Sequence, residues 1–211
     1  MSGSPRRSPL ALVVLAMLYE APMHPYRMQQ LIRERGKDKV VNVRQRASIY
    51  QTIERLLRDG LISVRETERD ENWPERTVYQ LTPAGRLLLT DWMRDMLATP
   101  ARDFPEFPAA LAFLPLLEAD DVAAQLETRA ASLERELARI ETAMAATAGF
   151  LPRVFVIEDE YRTALLRTEL SFVRSLAAEL RDGRLGWSEE WLRKLTATPA
   201  AGSVKNGPDG G

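Results

Sequence analysis

Apolar residues recur along this chain first at helical spacing, then in short alternation, then again at helical spacing over two long stretches. That order predicts a mainly α protein with a small pair of strands near its middle. Ser8 and Pro9 mark the cap and first turn of a helix whose apolar run, Leu10 to Tyr19, is too short to cross a bilayer and reads as a core helix. After the Ala21-Pro22 break and His24-Pro25, Tyr26 to Arg35 carries Met28, Leu31 and Ile32 as the inner positions of a second helix. Gly36 and a basic connection follow. From 48 to 60, with successive residues turning by about 100°, Ile49, Ile53, Leu56 and Leu57 form a packing arc opposite a polar arc of Ser48, Gln51, Thr52, Arg55 and Arg58. Ser48 with Gln51 three residues later fits a capping box, and Gly60 ends the helix where the chain passes through positive φ.

Leu61 to Thr67 is rich in β-branched and aliphatic residues, and Thr77, Tyr79 and Leu81 alternate with Val78 and Gln80. Two strands are predicted, joined by a polar turn from Arg69 to Pro74 with its tip near Asp70 to Trp73. Thr82-Pro83 then caps a fourth helix with Leu87, Leu88, Trp92, Met93 and Met96 as apolar positions. Three helices followed by two strands make a helix-turn-helix with a wing.

Beyond it, Leu126, Ala130, Leu133, Leu137, Ile140 and Met144 are spaced 4, 3, 4, 3, 4, a heptad seam on a helix from about Asp120 to Ala148. A further helix, from about Ile157 to Arg181, carries Tyr161, Leu165, Phe172, Leu176 and Leu180 along one stripe. Two such helices can pair within one subunit or between two. Between the halves, the proline-punctuated stretch from Pro100 to Pro115 contains Phe104, Phe107, Leu111, Phe113 and Leu114, the composition of a packed connector. The expected organisation is a winged helix-turn-helix domain over 8–98, a packed connector over 99–118, a helical domain over 119–195 and a disordered tail over 196–211. The first seven residues read as disordered too.

Charge sharpens this division. The whole chain is nearly neutral, at −1, yet residues 1–98 carry +4 and residues 99–211 carry −5. Residues 33–58 hold eight basic side chains (Arg33, Arg35, Lys37, Lys39, Arg44, Arg46, Arg55, Arg58) against Glu34, Asp38 and Glu54. That excess surrounds the third helix, where phosphate neutralisation would release counterions and make binding salt-dependent. An amphipathic helix with a charged face is most often only a solvated surface helix. Here the flanking order and the local charge point to DNA: an amide and guanidinium forks pair with adenine or guanine edges, and the Thr52 methyl suits thymine. In the wing, Arg76 is favoured as a phosphate contact. For Arg65 and Arg69 plain solvated charge is a close rival, since Glu66, Glu68, Asp70, Glu71 and Glu75 stand among them.

The catalytic inventory is thin. The chain has no cysteine and a single histidine, His24, which reads as a helix cap because no second histidine exists to share a metal. Asp120-Asp121 and Glu158-Asp159-Glu160 flank helix starts, where the helix dipole favours negative charge. No phosphate-binding glycine loop occurs. No enzyme activity, metal or cofactor is expected, and with no signal peptide or membrane span in view the expected location is cytoplasmic.

The segments SPLALVVLAML, PMHPYRMQQLI, ASIYQTIERLLRDGLI and RTVYQLTPAGR resemble, in order and spacing, the first helix, second helix, recognition helix and wing-to-helix junction of PadR-type transcriptional regulators. RDFPEFPAALAFLPLL and EYRTALLRTELSFVRSLAAELRDGRLGW are similar to the helical C-terminal region of the family's longer actinobacterial members, so the likeness runs over about residues 8–195. Pro25 departs from the glycine common before the tyrosine, and proline suits a first helical turn. The resemblance implies that Tyr26, Ser48, Tyr50 and Arg55 face or adjoin DNA. Joined to the polar arc and the basic connection, the expected DNA-binding set is Tyr26, Lys37, Lys39, Arg44, Arg46, Ser48, Tyr50, Gln51, Thr52, Arg55 and Arg76.

The resemblance also implies that the C-terminal helices dimerise the chain through Leu126, Leu133, Leu137, Ile140, Met144, Tyr161, Leu165, Phe172 and Leu176. A two-fold dimer sets two recognition helices in successive major grooves, roughly 34 Å apart, on a palindromic site. The expected function is a repressor with operator DNA and a second copy as partners. A small aromatic effector is a further candidate, hinted at by Trp92, Met93, Met96, Phe104, Phe107 and Phe113 near the junction of the halves, although ordinary core packing produces such a run and no ligand residues are assigned. The alternative is a winged helix whose polar arc meets a partner protein; an acidic or apolar face would favour it, and the Gln/Thr/Arg face does not.

Overall fold

A computed structural model of the protein describes residues 7–37, 46–70, 73–101 and 104–188, divided into two compact units, Met1–Asp103 and Phe104–Gly211. Residues 1–6 and the tail expected over 196–211 lie outside the described residues.

In the first unit the elements run α1 (Pro9–Glu20), α2 (Pro25–Glu34), α3 (Arg46–Arg58), β1 (Ile62–Asp70), β2 (Trp73–Leu81) and α4 (Pro83–Ala98). Three of the four helices start in the same way, with a capping side chain followed by proline. Ser8 Oγ accepts from the Ala11 N–H at 3.2 Å, His24 Nδ1 from Arg27 at 3.1 Å, and Thr82 Oγ1 from Gly85 at 3.0 Å. Each cap satisfies an N–H that the first turn leaves unpaired, and the proline removes another. α3 does not follow this pattern. It begins at Arg46, so Ser48 lies within the first turn and the expected capping box is not its start.

α1 buries Ala11, Val14, Leu15, Met17 and Leu18, which a helix flanked on several sides requires. Met28 and Ile32 of α2, Ile49, Ile53 and Leu56 of α3, and Leu89 and Trp92 of α4 close on it in one apolar cluster with Leu61 and Ile62. β1 and β2 pair antiparallel, Ile62 opposite Leu81 and Val64 opposite Tyr79, with register shifts between Val64 and Glu66 and between Glu68 and Asp70. A two-stranded ribbon is marginal alone. Here Met23 and Tyr79 exchange two backbone hydrogen bonds of 3.1 Å each, tying the edge of β2 to the segment before α2.

The second unit comprises α5 (Glu106–Leu111), a 3-10 turn at Leu114–Leu116, α6 (Ala119–Thr147), a second such turn at Arg153–Phe155, and α7 (Ile157–Arg181). α6 and α7 form an antiparallel hairpin, as their ion pairs show: Arg181 meets Glu127 at 2.8 Å, Arg174 meets Glu134, and Arg167 meets Glu141 at 2.6 Å. Such exposed pairs contribute about 0–1 kcal/mol each and serve mainly to fix register. The hairpin interior is Val122, Leu126, Leu133, Leu170, Val173, Ala177 and Leu180.

This packing corrects the expected dimer seam. Leu126, Leu133 and Ile140 are buried within the chain, Leu137 packs against the same interior, and the Met144 sulfur accepts from Thr163 Oγ1 at 4.0 Å. The heptad on α6 is consumed by α7 of the same subunit. On α7 the expected stripe splits. Leu176 packs against the hairpin interior, whereas Tyr161, Leu165 and Phe172 remain 65, 52 and 50 % exposed.

The aromatic residues of the expected connector also divide. Phe107 and Leu114 pack on the hairpin, and the Trp187 indole N–H donates to the Leu117 carbonyl at 2.9 Å, pinning the end of the 3-10 turn. Phe104 and Phe113 are exposed.

Candidate nucleic-acid interface

The residues of α3 sort by angle and not by polarity. Ile49, Thr52, Ile53 and Leu56 are buried, while Tyr50, Gln51, Glu54, Leu57 and Arg58 are exposed. At about 100° per residue, Thr52 stands some 60° from Ile49, whereas Leu57 stands some 80° away on the other side. Thr52 is 8 % exposed and its hydroxyl donates to the Ser48 carbonyl at 2.7 Å, satisfied within the helix. It does not belong to an outward face. Glu54 and Leu57 do, and strict attention to angle would have found both.

The exposed face therefore presents a phenol, an amide, a carboxylate and a guanidinium, the groups of Tyr50, Gln51, Glu54 and Arg58. Adenine suits the amide, guanine the guanidinium, and the cytosine amino group the carboxylate. Tyr26, at the start of α2, is 58 % exposed and its ring stacks with that of His24 at 6.2 Å. Ser48 and Arg55 occupy the margin between buried and exposed arcs. Arg55 is already engaged: its Nη2 donates to Ser8 Oγ at 3.3 Å, linking α3 to the cap of α1.

Of the basic residues expected around this helix, Lys37 is described and half-buried. Lys39 and Arg44 lie outside the described residues, and for Arg46 and Arg76 only the backbone, in α3 and β2, is described. Arg35 is directed elsewhere. Its guanidinium holds Glu20 with two hydrogen bonds of 2.6 and 2.8 Å, joining the ends of α1 and α2, and this bonding keeps the Glu20 carboxyl below the ordinary carboxylate value. With its folded value depressed, the pair stabilises at neutral pH and that contribution fades as pH falls through the lowered value. Both groups are largely exposed, so removing it with Arg35→Met is expected to cost no more than about 1 kcal/mol at pH 7 and less in acid, read by denaturant titration at the two pH values. On the wing, Arg65 pairs with Glu66 at 3.6 Å, so its charge is already met by a neighbouring carboxylate.

Among the described residues no group of carboxylates and histidines could hold a metal ion, and no helix is long and apolar enough to cross a membrane.

Residues 14–91 match the model of the transcriptional regulator PadR-like family, a span running from α1 into α4 and containing the whole of α3 and both strands. The fold is that of the Bacillus subtilis PadR solved in complex with operator DNA, at 15 % identity and a TM-score of 0.67, covering 83 % of this chain and 99 % of that one. The same protein in complex with p-coumaric acid is similar at 15 % identity and 0.67, covering 82 % and 99 %. The Vibrio cholerae virulence activator AphA is similar at 18 % identity and 0.64, covering 82 % and 98 %. No curated protein matches this chain in sequence.

Proposed function

We propose that this chain, whose winged-helix residues 14–91 match the transcriptional regulator PadR-like family, is a dimeric repressor that binds a palindromic operator and is released by a small molecule. The observation that carries this reading is the coincidence of the family match with a solvent-facing α3 whose outward groups suit base edges. Gln51 and Arg58 read bases in the major groove, with Tyr50 and Tyr26 beside them. Lys37, Lys39, Arg44, Arg46 and Arg76 meet phosphates, and Arg55 exchanges Ser8 for a phosphate oxygen. The bound operator and the p-coumaric acid of the Bacillus subtilis PadR structures support the two ligand classes.

Dimerisation uses the exposed stripe of α7, since a lone winged helix reads too short a site for specificity. Organised as 8–98 for DNA, 99–118 as connector and 119–195 for self-association, the chain couples a C-terminal signal to its reading heads.

Gel-shift titration on the DNA upstream of its own gene tests the reading. A shift that weakens steeply with salt is expected; its absence there and in a random-site selection overturns the proposal. On such a site, Gln51→Ala is expected to cost roughly 1–3 kcal/mol of specific binding, as loss of a bidentate base contact does. Thr52→Val should leave affinity unchanged because its hydroxyl is already spent on Ser48. Equal losses from both substitutions would contradict the assignment of the outward face.

A further inference from the structure

Within the second unit, α5, the 3-10 turn and the first turns of α6 line a half-open pocket of about 230 Å3. Its floor is one face of α6, where Val122, Gln125, Leu126 and Arg129 fall at positions i, i+3, i+4 and i+7. Phe107, Leu111 and Leu114 supply apolar wall on the other side. The walls are held apart by two fixed contacts. The Arg129 guanidinium carbon sits over the Phe107 ring, 3.7 Å from its centre, and Trp187 anchors Leu117 by the indole bond already described.

We propose that this cavity binds a neutral, mainly apolar small molecule carrying one hydrogen-bond acceptor, and that it is the seat of the effector in the operator-binding reading, on which its regulatory meaning rests. Size follows from packing: an apolar cavity of about 150 Å3 stays dry and takes a benzene, so the volume here suits roughly ten non-hydrogen atoms. Polarity follows from Arg129. Glu169 occupies its Nε and Nη2, so a ligand oxygen meets Nη1. The positive charge is thereby already balanced. A ligand carboxylate placed beside Arg129 would also stand beside Glu169, and that repulsion in a partly desolvated site selects against acids. Gln125, its amide nitrogen donating to Asp121 at 3.1 Å, sits at the mouth.

Calorimetric titration of the full chain with acetophenone, of about nine non-hydrogen atoms, tests this, with benzoate as the charged molecule of equal size. Ala110, an exposed lining residue, is replaced in the variant Ala110→Trp, whose indole fills the cavity without disturbing the hairpin interior. The native chain is expected to bind acetophenone at least about tenfold more tightly than benzoate, and Ala110→Trp to weaken acetophenone by at least about tenfold with sedimentation mass and thermal midpoint unchanged. No acetophenone binding, equal binding of benzoate, or undiminished binding by Ala110→Trp overturns the site. A change of mass in Ala110→Trp also overturns it, marking the cavity as a face between copies. These arms contain no DNA, so they stand or fall apart from the operator reading. With a shifted operator in hand, saturating acetophenone should displace the midpoint for the native chain and not for Ala110→Trp; an unmoved midpoint refutes the effector role, whereas no shift without ligand refutes the operator reading instead.

Discussion

Gly85→Ala is expected to lower the stability of the winged-helix unit by about 3 kcal/mol or more, at the upper end of what overpacking a closed core costs. A Cβ at this position would land on the Leu61 carbonyl oxygen, far inside van der Waals distance, and would also press on the Leu81 side chain. The carbonyl has no room to yield. It accepts from the Thr82 N–H at 3.1 Å and lies 3.0 Å from the Thr82 hydroxyl, whose single proton it shares with the Gly60 carbonyl at 2.8 Å. Moving Leu61 therefore strains the turn after α3, the cap of α4 and the start of the ribbon together. For a unit of this size the loss corresponds to a fall of more than about 10 °C in the thermal midpoint, followed by circular dichroism. Gly60→Ala provides the comparison: its φ of +70° strains any other residue, but nothing lies within 4 Å of the added carbon, so roughly 1–2 kcal/mol is expected. Equal effects of the two substitutions would show that close approach is not what holds Gly85 as glycine.

That pair of glycines also marks how far sequence reaches. Gly60 follows a helical apolar pattern and precedes a strand, so its role as a terminator is local and legible. Gly85 sits in the first turn of a helix, where glycine costs about 1 kcal/mol relative to alanine, and its reason lies in a carbonyl 24 residues earlier. Local chemistry likewise announced Ser8-Pro9, His24-Pro25 and Thr82-Pro83 as helix starts, because cap and proline act within one turn. Thr52 and Leu57 depart from the expected arcs for a different reason. Their polarity and their angle on the helix disagree, and angle wins: a threonine can bury its hydroxyl against its own helix at no cost in unpaired groups, and a leucine at the edge of an arc can stay partly in water. The heptad on α6 shows a third limit. Spacing says that a helix has a partner and is silent on whose chain supplies it.

Replacing Leu165 and Phe172 together by glutamate is expected to dissociate the proposed dimer and, with it, to weaken operator binding by about a hundredfold, or about 2.7 kcal/mol. Ile157, Tyr161, Leu165 and Phe172 recur at helical spacing on α7, all at least half exposed, and continue into exposed Val154 and Phe155 at the preceding turn. So long an apolar stripe on a helix whose opposite side already packs against α6 is more than scattered surface hydrophobicity requires. Neither Leu165 nor Phe172 belongs to the hairpin interior, so the double variant should keep its helicity and thermal midpoint while its sedimentation mass falls to that of one chain. Leu133→Ala is the opposing case. That residue is buried between α6 and α7, and its truncation should cost about 2–4 kcal/mol of stability while the molecules that remain folded stay paired. The two variants separate two physical roles that one heptad pattern cannot distinguish. If Leu133→Ala yields folded monomers and the α7 double variant still sediments as a dimer, self-association runs through α6, and the hairpin must open to form it.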